Sequence, residues 1–468
     1  MIVTLQDGTI EQYQDEPFAS GGQGELYFSK DKQAVIKLYH THDPTWNRTV
    51  EEQRTMVLRK IIGEFNVTKN DSAAKELFAW PNGIVKAPRL GVRMSNVNAR
   101  MEHKPLTWWI GSKAFNRLST DVRGNWLDRT RVASNMARIA WKLHGSGLCH
   151  SDFSSDNFLA NVNRQHVVLI DLDSLVVPGV LPPEMLGTGD YMAPEIVTGH
   201  AKRDTNTRPS IYTDLHSLAV LIYQLLLMRH PLKGPKHHSD DAERDDVMAL
   251  GEGALYVEDP DDRSNRPPDP FNGAWLLGDE VETLMRRAFT TGLRSPQSRP
   301  LAAEWGDALV RMSDQIIPCA NEACPGKAFV LLRDRPAVCP WCGTKVPRPA
   351  RVPIMRLFTG VGQAGHYQPD KARIVGWQAR TLHRWHTHTD LSERAAVKQD
   401  ERAPVAEIQY KQGQWMLVNN TMTGLRVASS GSVRKIEPGQ SSTLEHGQQL
   451  LFGTGSSARL ALVTMQEL

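Results

Sequence analysis

A carboxylate and a carboxamide stand five positions apart in the run Cys149-His150-Ser151-Asp152-Phe153-Ser154-Ser155-Asp156-Asn157. Fourteen residues after Asn157, a second carboxylate, Asp171, closes the apolar pair Leu169-Ile170. This set suits transfer of a phosphoryl group from a nucleotide. Asp152 would accept or orient the proton of an attacking hydroxyl. Asn157 and Asp171 would offer hard oxygen ligands to the magnesium, or manganese, that bridges the phosphates.

Two upstream features fit the same chemistry. The segment Ala19-Ser20-Gly21-Gly22-Gln23-Gly24-Glu25-Leu26 is a glycine-rich turn between strands, so Ser20, Gly21, Gly22, Gly24 and Leu26 are candidates to cover ATP. An ordinary glycine turn explains such a run about as well, and Ala19 stands where the phosphate-covering pattern has glycine. Thirteen residues beyond Gly24, Lys37 ends Ala34-Val35-Ile36-Lys37 on a strand, placed to hold the α- and β-phosphates. Such a lysine needs an acid, and the following helix offers Glu51 and Glu52. With Val50, Arg54, Val57, Leu58 and Ile61 marking the inward stripe, Glu51 lies nearer the site and is taken as the partner.

With Gly187-Thr188-Gly189-Asp190-Tyr191-Met192-Ala193-Pro194-Glu195 added, residues 10–310 resemble the eukaryotic-type protein kinase family. The resemblance implies that Asp214 braces the catalytic loop and that Arg299 pairs with Glu195. More narrowly, ELFAWPNGIV, ALGEGALYVEDPDDRSNRPP and AFTTGL with SRPLAAEW are similar to bacterial kinases of tellurium-resistance-type phosphorylation systems. That similarity implies a von Willebrand factor A protein and a metal-dependent protein phosphatase as partners, besides protein substrates.

Besides Ala19, the chain departs from the kinase pattern at four positions. Ser151 replaces the arginine that captures a phosphorylated activation loop, so loop phosphorylation is not the expected switch. Ser154 replaces a lysine beside the γ-phosphate, which predicts slow turnover or a compensating group. Leu172 and Asp173 replace the phenylalanine and glycine that follow the metal-binding aspartate, which predicts a restricted flip of that segment. No magnesium ligand is lost.

Cys319-x4-Cys324, fourteen residues, then Cys339-x2-Cys342 offers two thiolate pairs suited to a closed, structural zinc site in a small ribbon. Cys149 reads as a packed thiol. The ribbon's Lys327, Arg333, Arg335, Lys345, Arg348 and Arg351 read as a solvated basic face rather than a nucleic-acid surface. TKVPRPARVP reads as a linker. Beyond Ile374, strands alternate in the manner of a sandwich. Trp415, Leu417, Asn419, Thr423-Gly424, His446-Gly447 and Leu451-x-Gly453 are similar to forkhead-associated domains, but Trp377 follows Gly376 where phosphothreonine readers carry arginine. In LHRWHTHTD, His386 and His388 would share one face of a strand and could bind a metal, but His383, His386 and His388 read better as surface histidines.

The elements that must position these groups follow from length and periodicity. In 468 residues, 40% are hydrophobic and 23% charged, with a formal net charge of +3, which gives no reason to expect a nucleic-acid or membrane partner. The start, MIVTLQDGTIEQYQDE, lacks the features of a targeting segment, and a cytoplasmic protein is expected. TIEQYQ, ELYFS and AVIKLY read as strands and TVEEQRTMVLRKII as a helix. RVASNMARIAWKLHGSG and LHSLAVLIYQLLLM read as helices, and KGPKHHSDDAERDD as an exposed loop. The reading is a multidomain chain: an α+β bilobal kinase fold (lobes 1–100 and 101–315), a zinc ribbon (316–350) and an all-β sandwich (355–468). The expected activity is ATP- and magnesium-dependent phosphorylation of serine or threonine, on itself or on partners. The rival is a nucleotide-binding pseudokinase scaffold.

Overall fold

The computed structural model describes residues 1–41, 46–177, 187–204, 207–269, 272–333, 335–347, 349–362, 365–393, 400–429 and 431–468. The chain forms two compact units. One comprises Met1–Gly124, Asn135–Phe271 and Leu284–Ala303, the other Asn125–Ser134, Asn272–Thr283 and Glu304–Leu468.

The first unit opens with seven strands, β1 (Ile2–Leu5), β2 (Ile10–Gln12), β3 (Ala19–Ser20), β4 (Gly24–Phe28), β5 (Ala34–Tyr39), β6 (Pro81–Ala87) and β7 (Gly91–Ser95), joined in one sheet in the order 2-1-6-7-5-4-3. Val3, Tyr13, Ile36, Leu38 and Val85 bury one face of this sheet. The opposite face packs Tyr39, Ile84 and Val92 against Leu58 of helix α1 (Arg48–Ile62). Asn47 caps α1 by accepting the Val50 N–H at 3.1 Å. Gly24 is required by a close approach: a Cβ there would lie 2.5 Å from the Leu38 carbonyl oxygen of the neighbouring strand.

The rest of this unit is mainly helical: the short α2 (Ser112–Arg117) and α3 (Thr120–Arg123), α4 (Trp126–Gly145, which begins in the second unit), α5 (Pro194–Ala201), α6 (Ile211–Leu227), α7 (Ala242–Leu250), α8 (Asp279–Phe289, which also begins in the second unit) and α9 (Thr291–Arg294). Helix α6 is buried from Thr213 to Leu227, as its apolar sequence demands, and opens on a capping box between Ser210 and Thr213. A three-stranded sheet, β10 (His166–Leu169), β9 (Phe158–Asn161), β8 (Lys104–Pro105), carries the loop from Cys149 to Asn157. The expected loop KGPKHHSDDAERDD is helical from Ala242. Asp241 caps that helix on the Arg244 N–H, and Glu243 and Asp245 favour its positive end.

The second unit has helix α10 (Ala302–Ser313) and the pair β11 (Ile316–Pro318) and β12 (Ala328–Val330). Two antiparallel sheets follow, built from β13 (Arg351–Gly360), β14 (Tyr367–Val375), β15 (Arg380–Leu382), the single turn α11 (Arg384–Thr387), β16 (Ala406–Lys411), β17 (Gln414–Asn419), β18 (Arg426–Ser429), β19 (Ser432–Lys435), β20 (Ser441–Thr443), β21 (Gln449–Leu451) and β22 (Arg459–Glu467). Six strands run in the order 14-13-22-21-18-19 and four in the order 15-16-17-20. Both sheets share one core, to which Cys324, Phe329, Leu331 and Cys339 also belong.

TKVPRPARVP is therefore no free spacer: Val346 packs on that core, Val352 is buried within it and β13 begins at Arg351. The expected surface histidines differ as well. His386 is buried, lies 3.2 Å from Asp314 and accepts the backbone N–H of His383, because α11 turns it inward. Among the described residues, no helix is long and apolar enough to cross a membrane.

Candidate active site

The loop after α4 is pinned from several sides. Cys149 and Val176 exchange backbone hydrogen bonds at 2.9 and 2.8 Å. The ring of His150 lies 3.0 Å from the Ile170 carbonyl oxygen. Asp214, at the start of α6, accepts the backbone N–H groups of His150 and Ser151. Ser151 and Asp171 are both left-handed, at φ 67° and 60°, a conformation non-glycine residues hold only when the surroundings fix it.

This framework brings Asp152, Asn157, Asp171 and Lys37 into one site. Asn157 donates its side-chain amide to both the backbone oxygen and Oδ2 of Asp152, each at 2.9 Å. Its amide oxygen is then the atom suited to a cation. Lys37 on β5 reaches Asp171 Oδ1 at 2.6 Å. The hydroxyl of Thr188 donates to Asp152 Oδ1 at 2.7 Å, occupying the oxygen that Asn157 leaves. At Gly21 and Gly22 a Cβ would meet nothing within 4 Å, so that turn is uncrowded. Ser20 is exposed, and Leu26 on β4 pairs with Lys37 on β5. An oxygen-only donor set beside an open glycine turn and a lysine fits ATP with a hard divalent cation.

Glu51 does not partner Lys37. It is exposed on α1, while Lys37 pairs with Asp171 and, through both carboxylate oxygens, with Asp173. The stripe that suggested Glu51 is real, but one turn on, level with the site, it presents Arg54. Sequence reasoning missed Asp173 as a partner, as well as Gln23, whose side-chain oxygen accepts from Lys37 at 3.0 Å. Burial alone would lower the Lys37 ammonium, but Asp173 and Asp171 hold it above the ordinary lysine range. Burial raises the Asp171 carboxyl, and neighbouring Asp173 adds to that. Ser154 is buried rather than presented to the cleft.

The guanidinium of Arg299, fully buried, grips Glu195 with two bonds of 2.8 and 2.7 Å, as the resemblance implies. Residues 178–186 of the activation segment lie outside the described residues.

In the second unit, the sulfur atoms of Cys319, Cys324, Cys339 and Cys342 lie within 4.8 Å of one another. Cys319–Cys342 and Cys324–Cys339 are 3.5 and 3.6 Å apart, close to the ~3.8 Å edge of a tetrahedral zinc–thiolate site and far beyond a disulfide bond. Trp341 closes the knob by donating to the Ala328 carbonyl oxygen. A Cβ at Gly326 would stand 2.2 Å from its ring, so only glycine fits there. The four thiols fit a metal with no open position. Cys149 is buried, which raises its thiol well above the usual range and leaves it unreactive. Of the basic residues read on the ribbon, Arg335 lies 4.1 Å over the Trp275 ring, and Arg348 falls outside the described residues.

Residues 114–291 match the family described as the protein kinase domain. The chain is similar to the serine/threonine-protein kinase PknD of Chlamydia felis, 30% identical over 114 residues, which is 20% of this chain and 12% of that protein. It is also similar to the probable serine/threonine-protein kinase RTK1 of Saccharomyces cerevisiae, 28% identical over 153 residues, or 31% of this chain and 22% of that one. The serine/threonine-protein kinase AtPK2/AtPK19 of Arabidopsis thaliana matches at 33% over 96 residues, 20% and 19% of the two chains. The chain thus spans between an eighth and a quarter of the length of these curated relatives. Residues 114–291 are thus similar to protein kinase domains, and these curated relatives are named as serine/threonine-protein kinases.

Proposed function

We propose that this protein transfers the γ-phosphate of ATP, with magnesium, to serine or threonine hydroxyls of itself or of partner proteins. What supports the reading is a chain of links: Asn157 donates to Asp152, the Asn157 backbone oxygen accepts the N–H of Ile170 beside Asp171, and Asp171 pairs with Lys37. Asp152 takes the substrate hydroxyl proton, and Lys37 orients the phosphates. Asn157 and Asp171 hold the cation, which supplies charge neutralisation when bound, and Ser20, Gly21, Gly22, Gly24 and Leu26 cover the nucleotide. The test is transfer of labelled γ-phosphate to a generic protein substrate by the native chain and by Asp152→Ala, with phosphosites mapped by mass spectrometry. Equal labelling would remove the catalytic assignment.

The finer assignments belong to the same proposal. The segment 316–350 is a zinc ribbon, and 355–468 is a sandwich similar to forkhead-associated domains that serves to dock proteins. The chain acts in the bacterial cytoplasm, in a tellurium-resistance-type system with a von Willebrand factor A protein and a metal-dependent phosphatase.

A further inference from the structure

Lys37 is held by an acid from the segment after β10, and α1, which packs on the lysine's own sheet, presents a cation instead. Asp173 is buried and places both oxygens within 3.1 Å of the Lys37 ammonium. Its Oδ2 also accepts the Tyr39 hydroxyl at 2.6 Å. Tyr39 lies two residues beyond Lys37 on β5 and so faces the same way. Over its ring, at 3.9 Å, sits the guanidinium of Arg54. Arg54, Leu58 and Ile61 share one face of α1 at helical spacing, and Leu58 and Ile61 are buried. The face of α1 turned to the site therefore carries positive charge.

The α1 side chain beside Tyr39 is Arg54 and Glu51 is exposed, whereas Asp173 is in place because the chain turns left-handed at Asp171. We propose that Asp173 is the positioning residue for Lys37, replacing an acid on α1, with Tyr39 and Arg54 fixing its orientation. The lysine's geometry is then set by the same short segment that carries Asp171. Movement of α1 reaches it through Arg54, which sits over the Tyr39 ring and whose charge bears on Asp173.

The proposal rests on the kinase reading, and the experiment separates the two. Transfer and thermal melting are measured for the full chain and for Asp173→Asn, Lys37→Met, their double variant, Glu51→Gln, Tyr39→Phe and Asp152→Ala. The expected result is a kcat about a hundredfold lower for Asp173→Asn with KM for ATP within about threefold, a split that a loosened fold would not give. On melting, which needs no nucleotide, Asp173→Asn takes one of the two counter-charges from Lys37 and Lys37→Met strands two carboxylates, so each single change lowers Tm. The double variant melts no lower than the worse single.

Glu51→Gln keeps kcat within about twofold. Tyr39→Phe, which keeps the ring under Arg54, lowers kcat about tenfold and keeps the proposal testable should Asp173→Asn fail to fold. Additive Tm losses, an unchanged kcat in Asp173→Asn or Tyr39→Phe, or a Glu51→Gln loss as large as that of Asp173→Asn would overturn it. If instead Lys37→Met and Asp152→Ala transfer phosphate as well as the native chain, the kinase reading itself fails.

Discussion

Oδ2 of Asp214 accepts the backbone N–H of His150 at 2.7 Å, and its other oxygen takes that of Ser151 at 3.0 Å. One buried acid at the start of α6 thus fixes the turn that aims Asp152. Asp214→Ala strands both donors, and stability is expected to fall by about 3 kcal/mol, with transfer reduced at temperatures where the protein stays folded. Urea unfolding alongside phosphate transfer checks both effects.

The Arg299–Glu195 pair leads to a different outcome. Glu195→Gln leaves a buried guanidinium without its counter-charge and is expected to cost about 3 kcal/mol. Replacing both residues by methionine should recover much of that loss. Denaturant midpoints of the three proteins decide it: a double variant as unstable as the single would mean the pair does more than neutralise itself.

His230 gives the unit an acid-sensitive contact. Its ring lies 2.9 Å from the Asp190 carbonyl oxygen and accepts the Leu232 N–H at 3.1 Å, and burial pushes its pKa down to about 4. An unfolded histidine titrates near 6.5, so between about pH 6.5 and 4 the unfolded chain takes the proton more readily and stability falls with falling pH. His230 should account for up to about 3 kcal/mol of that fall. The Tm difference between native protein and His230→Gln should therefore be largest at pH 7.5 and shrink at pH 5.

Metal content is the fourth expectation. Purified protein should hold about one zinc per chain, released by a strong chelator with a drop in Tm, and Cys324→Ser should bind none stably. Zinc assay by mass spectrometry, with thiol counting before and after chelation, tests this. A full complement of reactive thiols in untreated protein would argue against the site.

The strands ELYFS and AVIKLY, helices α1, α4 and α6, and the grouping of Asp152, Asn157, Asp171 and Lys37 were legible because each rests on periodicity or on spacing along the chain. The lysine's partner was not. Helical periodicity identifies the face of α1 but not which turn of it stands level with Lys37, and Asp173 reads in sequence as a mere replacement of glycine. The histidines of LHRWHTHTD were misread for a related reason: a single helical turn has no periodicity to detect, yet it is enough to bury His386 against Asp314.

The cysteine knob lends Phe329 and Leu331 to the same interior that fills the two sheets. Neither piece is then a cassette that evolution or an engineer can swap alone. Recombination at the proline-rich stretch between them would hand one daughter protein a raw greasy flank and the other a metal-binding stub without a foundation. The pair should travel together through gene fusions as one inheritable block.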